Sequence, residues 1–129
     1  MTQESMQGLR VLVVEDDYLI AADLAEHLAE FGVEVIGPVC SVAAALNVVN
    51  SLGTEIDGAS LDVNLQGERV YPVADALRAK HVPFVFSTGY DAAGVPQHYH
   101  DIPRCSKPVD TKILAHTLVK HVRSGKRLG

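Results

Sequence analysis

The sequence predicts an α/β protein with one doubly wound parallel sheet covered by helices on both faces. Two observations carry that prediction. Strand-like and helix-like segments alternate along the whole length, the pattern of parallel strands joined by helical crossovers. The run from Leu9 to Val14 is apolar except for Arg10, as a strand buried on both faces requires. A length of 129 residues is near the commonest size of one domain and is long enough to fold without a disulfide or a structural metal.

Leu9 to Val14 is the first strand. Ile20, Leu24, Leu28 and Phe31 then recur at helical spacing until Gly32, a C-cap that stops the helix. Val33 to Cys40 reads as the second strand, and Ser41 N-caps a helix with Val42, Leu46 and Val49 on one face, ended by Gly53. Ala59 to Val63 is a short third strand. Leu65-Gln66-Gly67-Glu68 is loop chemistry, and a third helix follows through Val73 and Leu77, with Pro72 in its first turn, where a missing N–H costs little. Pro83 opens a fourth strand through Phe86, and Arg104-Cys105-Ser106 forms a fifth. Asp110 caps a last helix along Ile113, Leu114, Leu118 and Val122. Gly94, Pro96 and Pro103 leave the stretch from Asp91 to Pro103 at most one irregular turn, so the fourth helix is expected to be short or irregular. The domain is expected over 9–123, with tails at 1–8 and 124–129; Arg123, Lys126 and Arg127 read as a solvated, mobile basic terminus.

The net charge of −5 argues against a nucleic-acid partner, which demands clustered Lys and Arg. Nothing in the sequence is apolar for long enough to cross a bilayer, and no signal peptide or separate output domain is evident. Cys40 and Cys105 have no C-x-x-C spacing and are expected to be reduced, in the cytoplasm. His98 and His100 lack further ligands at metal-binding spacing and read as loop residues. His27, His81, His116 and His121 read as helix-surface positions or helix ends.

A doubly wound sheet brings the C-terminal ends of its strands to one edge, where such sheets bind ligands. Glu15, Asp16 and Asp17 end the first strand, Asp62 the third, Thr88 the fourth and Lys107 the fifth. Oxygen ligands of this kind suit Mg²⁺; the plainer role is also open, with Asp17 an N-cap and Glu15 a solvated loop acid. Asp62 is harder to dismiss, because a charge ending a buried strand needs a partner, a metal or a catalytic reason. A carboxylate beside Mg²⁺ can attack phosphorus and form an acyl phosphate. The Thr88 hydroxyl can hydrogen-bond a phosphoryl oxygen, Gly89 lets a backbone N–H approach closely, and Lys107 supplies compact positive charge. Singly, Thr88 is also an ordinary β-branched strand residue and Lys107 an ordinary surface charge. Jointly, at strand ends in this order, they point to phosphoryl acceptance.

Four motifs, Val13-Val14-Glu15-Asp16-Asp17, Leu61-Asp62-Val63-Asn64-Leu65, Phe86-Ser87-Thr88-Gly89-Tyr90 and Lys107-Pro108-Val109, carry a resemblance to the receiver domain of bacterial two-component response regulators over nearly the whole chain. The resemblance implies a flavodoxin-like sheet of five strands in the order 2-1-3-4-5. It further implies that Glu15 and Asp16 bind Mg²⁺ with Asp62 and the backbone carbonyl of Asn64. Asp62 would be the phosphoacceptor, Thr88 the switch hydroxyl and Lys107 the phosphate-contacting lysine, and the Lys107–Pro108 bond would be cis. Phe86 to Tyr90 is also similar to the signature of the FATGUY class of stand-alone receivers, with Ser87 in place of the usual alanine.

The chain departs from the family at two places. Arg104 stands where receivers carry an aromatic residue three positions before the lysine, so the usual coupling of that ring to Thr88 is in doubt, with Tyr90 or Tyr99 as the available substitutes. Gln66 precedes Gly67 where receivers have a proline after the metal loop. The segment between Thr88 and Lys107 is expected to be mobile, so that phosphoryl binding acts by ordering a loop, and Tyr90 lies where receivers tune the acyl-phosphate lifetime together with Asn64.

These features imply a single-domain response regulator, which catalyses its own modification without being a classical enzyme. The implied phosphodonor is a sensor histidine kinase or histidine phosphotransfer protein. An unidentified downstream protein would take the signal, and weak self-association to a homodimer is expected. Three other readings remain. One is a receiver fold that is never phosphorylated and serves as an adaptor. Another is a haloacid-dehalogenase-like phosphatase, which wants a second acid where Asn64 stands. The last is a flavodoxin-like FMN protein, which wants a Ser/Thr/Gly phosphate cradle where the three acids follow the first strand.

Overall fold

The computed structural model describes residues 7–89, 95–107 and 109–128, with side chains of the last helix described as far as residue 124. In chain order the elements are β1 (Arg10–Val14), α1 (Tyr18–Glu30), β2 (Glu34–Val39), α2 (Val42–Leu52), β3 (Gly58–Asp62), β4 (Asn64–Leu65), β5 (Glu68–Arg69), α3 (Tyr71–Ala79), β6 (Phe84–Thr88), β7 (Arg104–Ser106) and α4 (Thr111–Leu128). Single 3-10 turns lie at Gly53–Glu55 and Gln97–Tyr99.

Five strands form one parallel sheet in the order β2-β1-β3-β6-β7, the flavodoxin-like arrangement. Strand alternation then divides the core into two layers. Leu12, Ala59, Leu61, Phe84 and Phe86 point to the face covered by α2 and α3. Val11, Val13 and Val85 point to the face covered by α1 and α4, against Leu24, Leu28, Leu114 and Leu118. The second layer is close-packed at Gly58, where a Cβ would clash with Val122 Cγ2, so α4 sits nearly on the β3 backbone.

The caps follow their chemistry. Ser41 accepts from Ala44 N, and Asp110 accepts from Lys112 N and Ile113 N, so each satisfies donors that the first helical turn leaves unpaired. Gly32, at φ +86°, ends the α1 segment in a left-handed conformation.

Several local expectations are corrected. Leu65 to Glu68 is a small antiparallel hairpin rather than a plain loop, β4 pairing with β5 around Gln66 and Gly67, both at positive φ. Ile113 is 58 % exposed and off the packed face of α4, which is built on Leu114, Ala115, Leu118, Val119 and Val122. Helix α4 also continues to Leu128, through the stretch expected as a tail. The N-terminal residues 1–6 of the other expected tail lie outside the described residues. Among the described residues, the stretch between β6 and β7 holds one 3-10 turn, as its composition predicts. No helix among the described residues is long and apolar enough to cross a membrane.

Candidate functional site

Parallel pairing lines up the C-terminal ends of the strands, with Val14 beside Leu61 and Asp62 beside Ser87. Alternation turns Asp62 away from the layer that takes Ala59 and Leu61, toward the α1 and α4 side. The side chain of Lys107 crosses the end of β6 to bring Nζ 3.1 Å from Asp62 Oδ2 and 3.9 Å from Glu15 Oε2.

Glu15, Asp16 and Asp62 each contribute a carboxylate oxygen, and these oxygens lie within 4.8 Å of one another. Asp62 and Glu15 are buried, only 2 % and 5 % exposed, so Glu15 is not the solvated loop acid that the plainer reading would make it. Asp17 does take the plainer role. It is the N-cap of α1, its Oδ1 accepting from Leu19 N at 3.0 Å and Ile20 N at 3.2 Å, and it stands outside the cluster. Its own N–H donates to Glu15 Oε2 at 3.0 Å, so the cap also orients the buried acid.

The β4–β5 hairpin closes the other side. Gln66 N donates to Asp16 Oδ2 at 2.9 Å, Asn64 N donates to Asp62 Oδ1 at 3.2 Å, and Gly67 N donates to Asn64 Oδ1 at 2.9 Å. The hairpin therefore fixes two of the three acids through backbone N–H groups, a function that loop composition does not reveal. Thr88 is buried, and its Oγ1 donates to Gly89 O at 3.3 Å, while Lys107 N donates to Thr88 O at 2.7 Å. Among the described residues, a Cβ on Gly89 would meet nothing within 4 Å.

The electrostatics are those of acids crowded together out of water. Burial first, and then the adjoining Asp62 carboxyl, push Glu15 up to about 8. Burial also raises Asp62, although Glu15 and Lys107 pull in the opposite direction. Burial pulls Lys107 down, but Asp62, Glu15 and Asp16 more than offset that and hold the ammonium charged. Among the described residues, Asp62 Oδ2 is buried without an aligned hydrogen bond, despite the nearby ammonium, and so is the hydroxyl of Ser87, its neighbour in register on β6. A buried carboxylate oxygen in that condition, between two more acids, is chemically suited to a hard cation or to a reacting electrophile. Sequence reasoning does not single out Ser87 for a role of its own; a hydroxyl at an inward strand position beside Asp62 is the available signal.

The expected readout residues are placed differently. Arg104 is half-buried, and its Nη2 reaches Tyr99 O at 3.5 Å. Tyr99 is 1 % exposed and lies in the α2/α3 core layer. Its hydroxyl hydrogen-bonds the Asp75 carboxylate and the Tyr71 carbonyl, and its ring stacks on Tyr71 and meets Phe86 edge-on with centroids 5.6 Å apart. Tyr90 and the Lys107–Pro108 bond lie outside the described residues. Residues 98 and 100 are exposed, as loop histidines would be.

No family model matches the sequence, and none of the curated proteins does. Solved structures do match. The solution structure of SdrG from Sphingomonas melonis Fr1 is 37 % identical with a TM-score of 0.75, over 95 % of this chain and 99 % of that one. The BeF3-activated conformation of SdrG from Pseudomonas melonis Fr1 is 39 % identical with a TM-score of 0.69, over 87 % of this chain and 94 % of that one. A response regulator receiver protein from Sinorhizobium medicae WSM419 is 25 % identical with a TM-score of 0.77, over 94 % of this chain and 99 % of that one.

Proposed function

The chain belongs to the receiver domains of response regulators, and on that premise we propose that it is a single-domain response regulator whose Asp62 accepts a phosphoryl group from a phosphohistidine. The phosphodonor is a sensor histidine kinase or a histidine phosphotransfer protein. The observation that carries this reading is the buried Asp62 carboxylate, held 3.1 Å from Lys107 Nζ and grouped with Glu15 and Asp16.

In the transfer, an Asp62 oxygen bonds to phosphorus as the P–N bond to the donor imidazole breaks, and the imidazole keeps the electron pair and takes up a proton. Lys107 offsets charge on the phosphoryl oxygens, and the Thr88 hydroxyl, bonded only weakly to its own loop at 3.3 Å, turns to one of them. Glu15, Asp16 and the Asn64 backbone carbonyl would hold Mg²⁺ with Asp62. That group would supply charge neutralisation, and the raised proton affinity of Glu15 and Asp62 supports the fit, because a cation would replace a proton that burial now favours. The relative described in a BeF3-activated conformation supports the same reading, since that fluoride stands in for a phosphoryl group.

The signal leaves by protein contact through the region preceding α4 and through α4 itself. Thr88 and Phe86 share a strand face, and Phe86 touches Tyr99, so a shift at the hydroxyl reaches the 3-10 turn in two contacts. Phosphoramidate with Mg²⁺ is expected to yield a hydroxylamine-labile acyl phosphate, and removal of the metal with a chelator is expected to prevent it. A modification that resists hydroxylamine would contradict the reading.

A further inference from the structure

Helix α4 concentrates one sign of charge in an acidic protein. Of the chain's 11 lysines and arginines it holds Lys112, Lys120, Arg123, Lys126 and Arg127, and it holds none of the 16 aspartates and glutamates. Its inner face is committed to the sheet and α1. On the outer face Lys112, His116 and Lys120 recur at every fourth residue, with Arg123 in line, over roughly 16 Å of helix at 1.5 Å per residue.

An open groove runs along this row. Its apolar wall is Phe31 at the end of α1, together with Ile113 and Val119. Ile113 leaves 58 % of its surface to solvent. The aromatic end of the groove is set by Phe31, whose ring meets His116 edge-on with centroids 5.1 Å apart. On α1, His27 and Glu30 line the adjoining end of the groove with Phe31, Lys112 and His116, and Asp23 accepts from Thr111 Oγ1 at 2.6 Å. Lys112 and Lys120 stand beside exposed apolar surface that favours cover, so an anionic, partly apolar surface would complement both.

We propose that this groove docks an acidic amphipathic helix of a partner protein, leucine-like side chains entering beside Ile113 and Phe31 and carboxylates lying along Lys112, His116 and Lys120. The basic row is one helix face wide and is flanked by the acids of α1, which a flat anionic bilayer would also have to meet. A second copy offering its acidic side would make a head-to-tail contact that does not close, unlike a stable dimer.

The test uses a capped helical peptide with leucines at i, i+3, i+4 and i+7 and glutamates elsewhere, and the same peptide with glutamine for glutamate. Binding is read by anisotropy and located by backbone amide shifts on the full chain. The glutamate peptide is expected to bind with shifts confined to residues 112–123 and the end of α1, and the glutamine peptide not to bind. The K112E/K120E variant is expected to weaken binding by roughly tenfold or more, and added salt to weaken it further; Ile113→Ser is expected to weaken it as well. Circular dichroism should show both variants folded, and both should still accept phosphoryl, because neither touches Asp62. Equal binding of the glutamine peptide, or shifts located elsewhere, would overturn the proposal. So would tighter engagement of the same face by phosphatidylglycerol vesicles, or self-association that K112E/K120E abolishes.

Discussion

The acidic edge and the turn at Tyr99 lie on opposite layers of one sheet and are held by different physics. At the edge, Glu15, Asp16, Asp62 and Lys107 are held by charge and by backbone N–H groups from the hairpin; burial raises the proton affinities of Glu15 and Asp62, and those acids raise that of Lys107. At the turn, Tyr99 is held by an apolar layer, by a carboxylate acceptor on α3, and by Arg78, which lies 5.5 Å over its ring while pairing with Asp101. The first region is poised to change its charge, and the second to keep its shape. The Tyr99 ring is therefore anchored in the core, and Arg104 Nη2 reaches its carbonyl.

The sharpest way to break that contrast is to remove the anchor. Tyr99→Ala should cost about 3–5 kcal/mol in urea unfolding, by loss of a fully buried ring, while folded molecules still accept phosphoryl on Asp62. Loss of phosphorylation in molecules shown to be folded would mean that the two regions are one unit. Next in size, Lys107→Ala should slow phosphorylation about a hundredfold, equivalent to about 2.7 kcal/mol in the barrier, and leave the circular dichroism spectrum unchanged. Asp17→Ala should cost about 1 kcal/mol of stability as a lost cap. Asp16→Asn, by contrast, should lower Mg²⁺ affinity in a calorimetric titration with little change in stability. The smallest effect concerns His121 on α4, which burial holds below its ordinary value of 6.5. The unfolded chain then takes the proton more readily, so the fold loses stability as pH falls through 6.5 toward the folded value. His121→Gln should flatten that part of a stability-against-pH curve.

The same contrast explains what the sequence reveals. Alternation and strand-end residues announce the acidic edge, because β1 and β3 lead into carboxylates that are costly to bury without a purpose. Asp17 is ambiguous in sequence, because an N-cap and a metal ligand both favour an aspartate immediately before a helix. The two-residue strands of the hairpin are too short for any periodicity, and the clue to their turn lies in the backbone of Gln66 and Gly67. Tyr99 stands in an irregular stretch, where no repeat says which side chain faces inward. The basic row on α4 is legible only at its C-terminal end, since Lys112, His116 and Lys120 are separated by apolar residues and join only when the helix is drawn. Ile113 is misassigned by periodicity for the related reason that it borders Leu114 in sequence but not on the packed face.

The central claim concerns Asp62, and intact mass spectrometry tests it directly. After incubation with a small phosphodonor and Mg²⁺, the wild-type chain should gain the mass of one phosphoryl group, and Asp62→Asn should gain none. An equal gain in both proteins would contradict the assignment of Asp62 as the acceptor, and no gain in the folded wild type would contradict phosphoryl acceptance by this chain.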